Sequence, residues 1–352
     1  MNSRLKNIYA ELKRQQLCGL FLSSPANITY LTDYTSRDSY FVISAQGNIY
    51  ITDSRYTEEA RQGLKGIAKI KKINGSVFKT IALACQELGL ERIGFEERYL
   101  AFAEYDKIRE YLDEGIELVA THGFVEELRQ IKSKDELKKI KEAVQITLKA
   151  FDFIRDFISP GIKEIEIAAE LERFIRYNGA RAEAFEIIVA SGANAAFPHH
   201  ITSVRKLGNN EMVLIDLGVD FAGYKSDLTR TFFLGKITPL AREVYNAVKQ
   251  AQERGLRQIK PQVMAKRIDA AARNFIREKG YADFFGHNLG HGVGLEVHEL
   301  PRISPREETL IQPGMVFTIE PGIYLPGKLG VRIEDMVVVT EKGAEIIGGA
   351  ID

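Results

Sequence analysis

Cysteine is almost missing from this chain. Cys18 and Cys85 are the only two in 352 residues, and no Cys-x-x-Cys pair exists. That excludes a disulfide framework and leaves two thiols expected to lie buried in a reducing compartment. An excess of either charge is missing too. Lys+Arg and Asp+Glu both number 48, so no long-range field recruits nucleic acid or an anionic membrane. No run approaches the roughly 18 apolar residues of a membrane helix. The opening MNSRLKNIYAELKRQQ is charged and amphipathic, without the apolar stretch of a signal peptide. These absences predict a cytoplasmic protein with neither nucleic acid nor membrane as partner. Histidine is scarce as well, with six in all, yet five fall in two places: His199 and His200, and His287, His291 and His298 within GHNLGHGVGLEVHE.

What is present suffices for a large core: 45% of residues are hydrophobic and 27% charged. At roughly 150 residues per domain the length predicts two domains. Residues 1–123 alternate helices and strands as an α/β domain: a helix over 1–16, then strands at 18–23, 39–44, 47–52, 67–73 and 116–120, with Ser24–Pro25 as a turn. Residues 124–352 form the second domain. Ser133-x-x-Glu136 is a capping box, and Leu137, Ile140, Val144, Leu148, Phe151 and Ile154 follow at helical spacing. A helix over 163–178 and strands at 184–191, 211–221 and 228–234 come next. Then a helix from Pro239, another over 262–279, and strands at 315–324 and 331–340 repeat the order. No literal repeat is visible, but the pattern predicts an α+β domain of two similar halves around a shared sheet, with a site between them.

Acidic residues inside apolar strands are the sharpest chemical signal. Asp216 stands in VLIDLG, Asp227 in KSDLTRT, Glu320 in FTIEPG and Glu334 in VRIED. One such residue is readily explained by facing water. Four on two hairpins are not, because a desolvated carboxylate is costly unless paired and clustered carboxylates repel without cations. His291, framed by Gly290, Gly292 and Gly294, supplies an imidazole; by itself it would read as a core or capping histidine. The glycine string is not a phosphate loop, since no Lys-Ser/Thr follows it. Four carboxylates and one imidazole exceed what one zinc needs and suit a pair of divalent ions. Such a pair acidifies a shared water and stabilises an oxyanion, as amide or phosphoester hydrolysis requires. Arg230, Arg302 and Arg332 are candidates for binding a substrate anion, with an ordinary salt bridge as the alternative, most of all for Arg230. His298 is seven residues past His291, too far to share a helical face.

Taken together, IDLG…SDLTRT, GHGVGLEVHE, TIEPGIY and VRIED stand in the order found in the pita-bread metallopeptidases, and the chain resembles their Xaa-Pro dipeptidases (prolidases) and Xaa-Pro aminopeptidases over its whole length. Residues 1–123 resemble the family's creatinase-type N-terminal domain through their strand–helix order and ANITYLTDY. The resemblance implies a pita-bread catalytic domain with pseudo-twofold halves. It implies that Asp216 is a terminal ligand of one metal, that Asp227 and Glu334 bridge, and that His291 and Glu320 hold the second metal. It implies two divalent cations, manganese first, with cobalt, zinc or iron accepted by the same donors. A hydroxide held between the metals would attack the Xaa–Pro carbonyl of a small peptide with proline in second position. His298 would contact the developing oxyanion, Glu320 would relay a proton to the proline nitrogen, and His199 would be the substrate-site histidine. Proline's nitrogen carries no N–H, which is why a dedicated site is expected. Phe185, Tyr324, His287 and Arg332 are candidates for the substrate pocket. Arg302, in HELPRIS, suits a dipeptide's free carboxylate and favours a dipeptidase over an aminopeptidase of longer peptides. A homodimer is implied, one subunit's N-terminal domain shielding the other's cleft. A non-catalytic pita-bread binding protein and a metal-free creatinase-like hydrolase are both disfavoured by the five intact ligands, and a methionine aminopeptidase would not need the N-terminal domain.

Overall fold

The computed structural model describes residues 3–349; the first two residues of the helix expected over 1–16, and the last three of the second domain, lie outside them. Contacts divide the chain into two compact units, Met1–Arg129 and Gln130–Asp352.

In the first unit the elements run α1 (Ser3–Arg14), β1 (Gly19–Leu22), α2 (Pro25–Thr32), β2 (Ser39–Ser44), β3 (Gly47–Thr52), α3 (Thr57–Gly63), β4 (Lys69–Lys72), α4 (Val77–Glu87), β5 (Arg92–Glu96), α5 (Phe102–Tyr111), β6 (Glu117–Thr121) and α6 (Glu126–Arg129). They build a six-stranded sheet of order β4-β3-β2-β1-β5-β6. The turn expected at Ser24–Pro25 is instead the start of α2. Ser24 Oγ accepts the Asn27 N–H and Pro25 occupies the first turn, where a missing N–H costs nothing. Glu96 closes β5 and holds that helix start, accepting from the Ser23 and Ser24 amides and from Asn27 Nδ2. Cys85 is buried, and burial pushes its thiol up to about 12. Cys18, expected to be buried as well, is exposed.

The second unit holds α7 (Lys134–Phe157), α8 (Glu164–Tyr177), β7 (Ala182–Glu183), β8 (Ile188–Ser191), β9 (Glu211–Leu217), β10 (Val219–Phe221), β11 (Tyr224–Lys225), β12 (Leu228–Leu234), α9 (Pro239–Gln258), α10 (Ala265–Glu278), β13 (Gly290–Gly292), β14 (Glu299–Ile303), β15 (Val316–Ile319), β16 (Gly322–Leu325), β17 (Leu329–Arg332), β18 (Asp335–Thr340) and β19 (Gly343–Ile346). The capping box forms: Ser133 Oγ accepts the Glu136 amide and Glu136 accepts the Ser133 amide. Two main sheets result, β12-β9-β8 and β14-β13-β15-β18-β19, beside the small sheets β11-β10-β7 and β16-β17. One apolar cluster packs α7 and α8 against the first main sheet. Another packs α9 and α10 against the second.

The two halves share a backbone hydrogen-bond pattern that the residue identities hide. In the first, Gly161 N–H donates to Leu207 O, Leu207 N–H to Ile162 O, Glu164 N–H to Arg205 O, and Ile165 N–H to Ser203 O. In the second, Gln262 donates to Ile311, Ile311 to Val263, Ala265 to Thr309, and Lys266 to Glu307. Helix positions are thus displaced by 101 residues and their partners by 104. Gly161 and Gln262 both take positive φ, 92° and 68°. The displacement of 104, carried along the following strands, sets Asp216 of β9 onto Glu320 at the end of β15.

Three strands expected to be continuous are broken. The stretch 211–221 divides at Gly218, 315–324 at Glu320–Pro321, and 331–340 at Ile333–Glu334. The stretch 184–191 is strand only from Ile188. Glu320 and Glu334 therefore sit at bends between strands, not in strand interiors. There the chain passes from one sheet to another and a side chain projects where the sheets meet.

Candidate metal centre

The centre is built where β9, β12, β13 and the bends at Glu320 and Glu334 converge. Asp227, His291 and Glu334 each present a ligand atom, all within 4.8 Å of one another. His291 Nε2 lies 3.5 Å from Asp227 Oδ2 and 3.4 Å from Glu320 Oε1. Gly290 and Gly292 flank this histidine because β13 is pressed between its neighbours. A Cβ on Gly290 would stand 1.9 Å from Thr318 O, and one on Gly292 2.1 Å from Leu300 O.

Second partners orient the acids. Thr229 Oγ1 donates to Glu334 Oε2 at 2.7 Å, and Thr318 Oγ1 to Glu320 Oε1 at 3.4 Å. His291 Nδ1 is 3.1 Å from Gly292 O. A proton on Nδ1 makes that hydrogen bond and leaves the Nε2 lone pair toward the carboxylates, the tautomer a metal needs. Burial, with His298 beside it, lowers the His291 imidazole to about 4, so it is neutral at physiological pH.

The carboxylates repel one another. Burial and then Glu334, Asp216 and Glu320 push Asp227 well up; burial and then Glu320 and Asp216 do the same to Glu334. Burial, opposed by Arg332, carries Glu320 to about 8. A like pair at 4 Å costs about 4 kcal/mol at an effective dielectric near 20, comparable with the net stability of a whole domain. The one guanidinium among them is Arg332, 4% exposed. It donates to Asp216 Oδ2 at 2.6 Å, Thr229 Oγ1 at 3.0 Å, Tyr324 Oη at 2.9 Å and Pro198 O at 3.2 Å. One cation against four carboxylates leaves the cluster short of positive charge. Asp216 Oδ1, moreover, is buried with no hydrogen-bond partner among the described residues. An unsatisfied buried carboxylate oxygen beside an oxygen-rich cluster and a lone imidazole nitrogen fits divalent cations.

The other candidates divide into those near the cluster and those apart. His298 stacks edge-on against His291 with centroids 4.3 Å apart, and burial and then His199 lower its pKa. His199 is exposed. Its neighbour His200 is committed elsewhere, Nε2 donating to Glu164 Oε2 at 2.9 Å. His287 is lowered to about 4, mainly by burial, and is therefore neutral. Its Nδ1 meets Asn288 O at 2.8 Å and its Nε2 meets Tyr324 Oη at 3.0 Å, so Tyr324 links His287 to Arg332. Arg230 bonds Asp335 Oδ1 at 2.6 Å and Glu334 O; it is a structural ion pair that steadies the Glu334 bend. Arg302 is exposed on β14, opposite His291 in the register. Phe185 lies against Gly218, and Tyr324 is buried. Thr229 and Thr318 escaped the sequence reading. Each stands two residues from a candidate ligand, Thr229 from Asp227 and Thr318 from Glu320, and that spacing was the available signal.

Residues 138–341 match the family described as "Metallopeptidase family M24", and residues 4–131 match "Creatinase/Prolidase N-terminal domain". The "Xaa-Pro dipeptidase" of Pyrococcus furiosus is 36% identical over 98% of this chain and 97% of that protein. The solved structure "Xaa-Pro dipeptidase from Bacillus anthracis" superposes with a TM-score of 0.95 at 39% identity, covering 99% of this chain and 98% of the other. An X-Pro aminopeptidase of Thermotoga maritima MSB8 gives 0.87 at 36% identity, covering 97% and 98%.

Proposed function

The chain belongs to metallopeptidase family M24, and from that premise we propose that it hydrolyses the Xaa-Pro bond of small peptides, as a dipeptidase, with two divalent cations. The observation that carries this reading is the convergence of Asp227, His291 and Glu334 beside the unsatisfied Oδ1 of Asp216. Asp216, Asp227, His291, Glu320 and Glu334 would hold the two cations. When bound, such a pair supplies Lewis acidity and an acidified water at neutral pH. Arg332 fixes Asp216 through its hydrogen bond to Oδ2, while Thr229 and Thr318 hold Glu334 and Glu320 in place. His298 donates a hydrogen bond to the scissile carbonyl oxygen as negative charge grows on it. Glu320 takes the proton released as water adds to the carbonyl carbon. It delivers that proton to the proline nitrogen as the C–N bond breaks, so that proline leaves as a neutral amine. His199, His287, Tyr324 and Phe185 border the substrate.

Arg302, exposed near the centre, supports the dipeptidase assignment, since a guanidinium binds a terminal carboxylate in bidentate fashion. The likeness to an X-Pro aminopeptidase supports the second reading, action on longer peptides. Manganese is the proposed metal, and a cytoplasmic homodimer the proposed working form. Hydrolysis of Ala-Pro against Ala-Pro-Ala by manganese-loaded protein decides between the readings. We expect the dipeptide to be preferred, and an Arg302→Ala substitution to raise its KM; faster cleavage of the tripeptide would move the assignment to the aminopeptidase.

A further inference from the structure

Glu164 is fully buried, outside the metal cluster, and accepts more hydrogen bonds than a helix start requires. Its Oε1 accepts from the Ser191 amide at 2.8 Å, Ser191 Oγ at 2.7 Å and Asn194 Nδ2 at 3.0 Å. Its Oε2 accepts from His200 Nε2 at 2.9 Å, Ser203 Oγ at 2.6 Å and the Ser203 amide at 3.2 Å. Burial raises the pKa of this carboxylate, and the hydrogen bonds together outweigh it and hold the group below its ordinary value. The donors all lie on one segment, from the end of β8 to Ser203, which carries His199.

The pseudo-twofold gives an internal control. The position equivalent to Glu164 in the second half is Ala265. Both residues open helices of 14 residues, and both donate the same backbone hydrogen bond, each at 3.0 Å. Alanine therefore suffices to start this helix and hold this turn. In the first half the carboxylate serves the segment 192–203, which holds no strand, whereas the matching stretch 296–307 carries β14. The loop 192–203 touches the centre twice. Pro198 O accepts from Arg332, the residue that holds Asp216, and the Ala195 carbonyl lies so close to Gly330 of β17 that a Cβ there would meet it at 1.7 Å. We propose that Glu164 is a positioning residue, whose carboxylate gathers the loop 192–203 so that His199 and the Pro198 carbonyl stand in register with Arg332 and the substrate.

This rests on the peptidase reading for its kinetic part only. The first measurement is amide hydrogen exchange in Glu164→Gln, a substitution that keeps the shape but turns an N–H toward the loop donors. Exchange across 192–203 is expected to rise about tenfold or more, with α9 and α10 unchanged. Unaltered exchange in the loop would overturn the proposal. Should Glu164→Gln fail to fold, Ser203→Ala and His200→Asn each remove loop donors while Glu164 stays, and the same local rise is expected. The second measurement is a cycle of Glu164→Gln and His199→Ala on Ala-Pro. A residue acting through His199 lowers kcat/KM alone but adds little once His199 is gone; fully additive losses would contradict it. If wild-type protein cleaves no Xaa-Pro peptide, the peptidase reading falls and the exchange measurement still decides the role of Glu164.

Discussion

At the scale of single residues the centre is a problem in charge. Four carboxylates face one guanidinium, and Asp227, Glu320 and Glu334 are all driven upward. For an acid whose folded pKa is raised, the folded state binds more protons than the unfolded. Its contribution to stability is therefore lost as pH climbs from the unfolded toward the folded value. Metal-free protein is expected to lose thermal stability between the ordinary glutamate value of 4.5 and about 8, the range of Glu320. Glu320→Gln should flatten that loss, and manganese should abolish it. Melting curves of chelated protein from pH 5 to 8 check this, and a Tm rising with pH would contradict it. Glu164 runs the other way. Its pKa is lowered, so its contribution is present above 4.5 and fades as the carboxylate protonates in acid. The destabilisation of Glu164→Gln, about 3 kcal/mol at neutral pH for a buried multiply bonded carboxylate, should shrink at pH 4 in denaturant titrations. The four acids were legible because charge inside an apolar stretch needs a reason. The pairing of Arg332 with Asp216 was not, because those residues are 116 positions apart and only the fold brings them together.

At the scale of elements, the candidate ligands Asp216, Asp227, Glu320 and Glu334 lie where strands begin or end. Expecting Glu320 and Glu334 inside continuous strands was natural, since apolar and β-branched residues run on both sides. Local composition does not register the point where a chain leaves one sheet for another. Pro321, directly after Glu320, was the one local sign of a break. The short strand β13 was likewise invisible, because three residues with two glycines carry no period-two signal. Its glycines are there for closeness. Gly290→Ala would place a methyl 1.9 Å from Thr318 O and force β13 away from β15, moving His291 off the acids. We expect a loss of about 3 kcal/mol, readable by urea titration, together with weakened manganese binding. A variant of wild-type stability would show that β13 has room the packing does not indicate.

At the scale of the whole molecule, the catalytic unit is one motif built twice. The order helix, helix, strands was readable from hydrophobic periodicity, whereas the displacement of 101 and 104 residues became visible only in the backbone hydrogen bonds. The two copies start their helices from the same left-handed turn, with Gly161 in one and Gln262 in the other. Nothing lies within 4 Å of a Cβ on Gly161, so Gly161→Ala should cost only backbone strain, about 1–2 kcal/mol, seen as a Tm lower by a few degrees. No helix among the described residues is long and apolar enough to cross a membrane. Asp216 and Glu320 occupy matching places in the two copies, and the centre gathers donors from both. Its most direct test is a calorimetric titration of chelated protein with manganese. Two ions bound per chain, reduced to at most one in Glu334→Gln, is the predicted result; a wild-type chain that binds none, or binds as many after that substitution, would contradict the account.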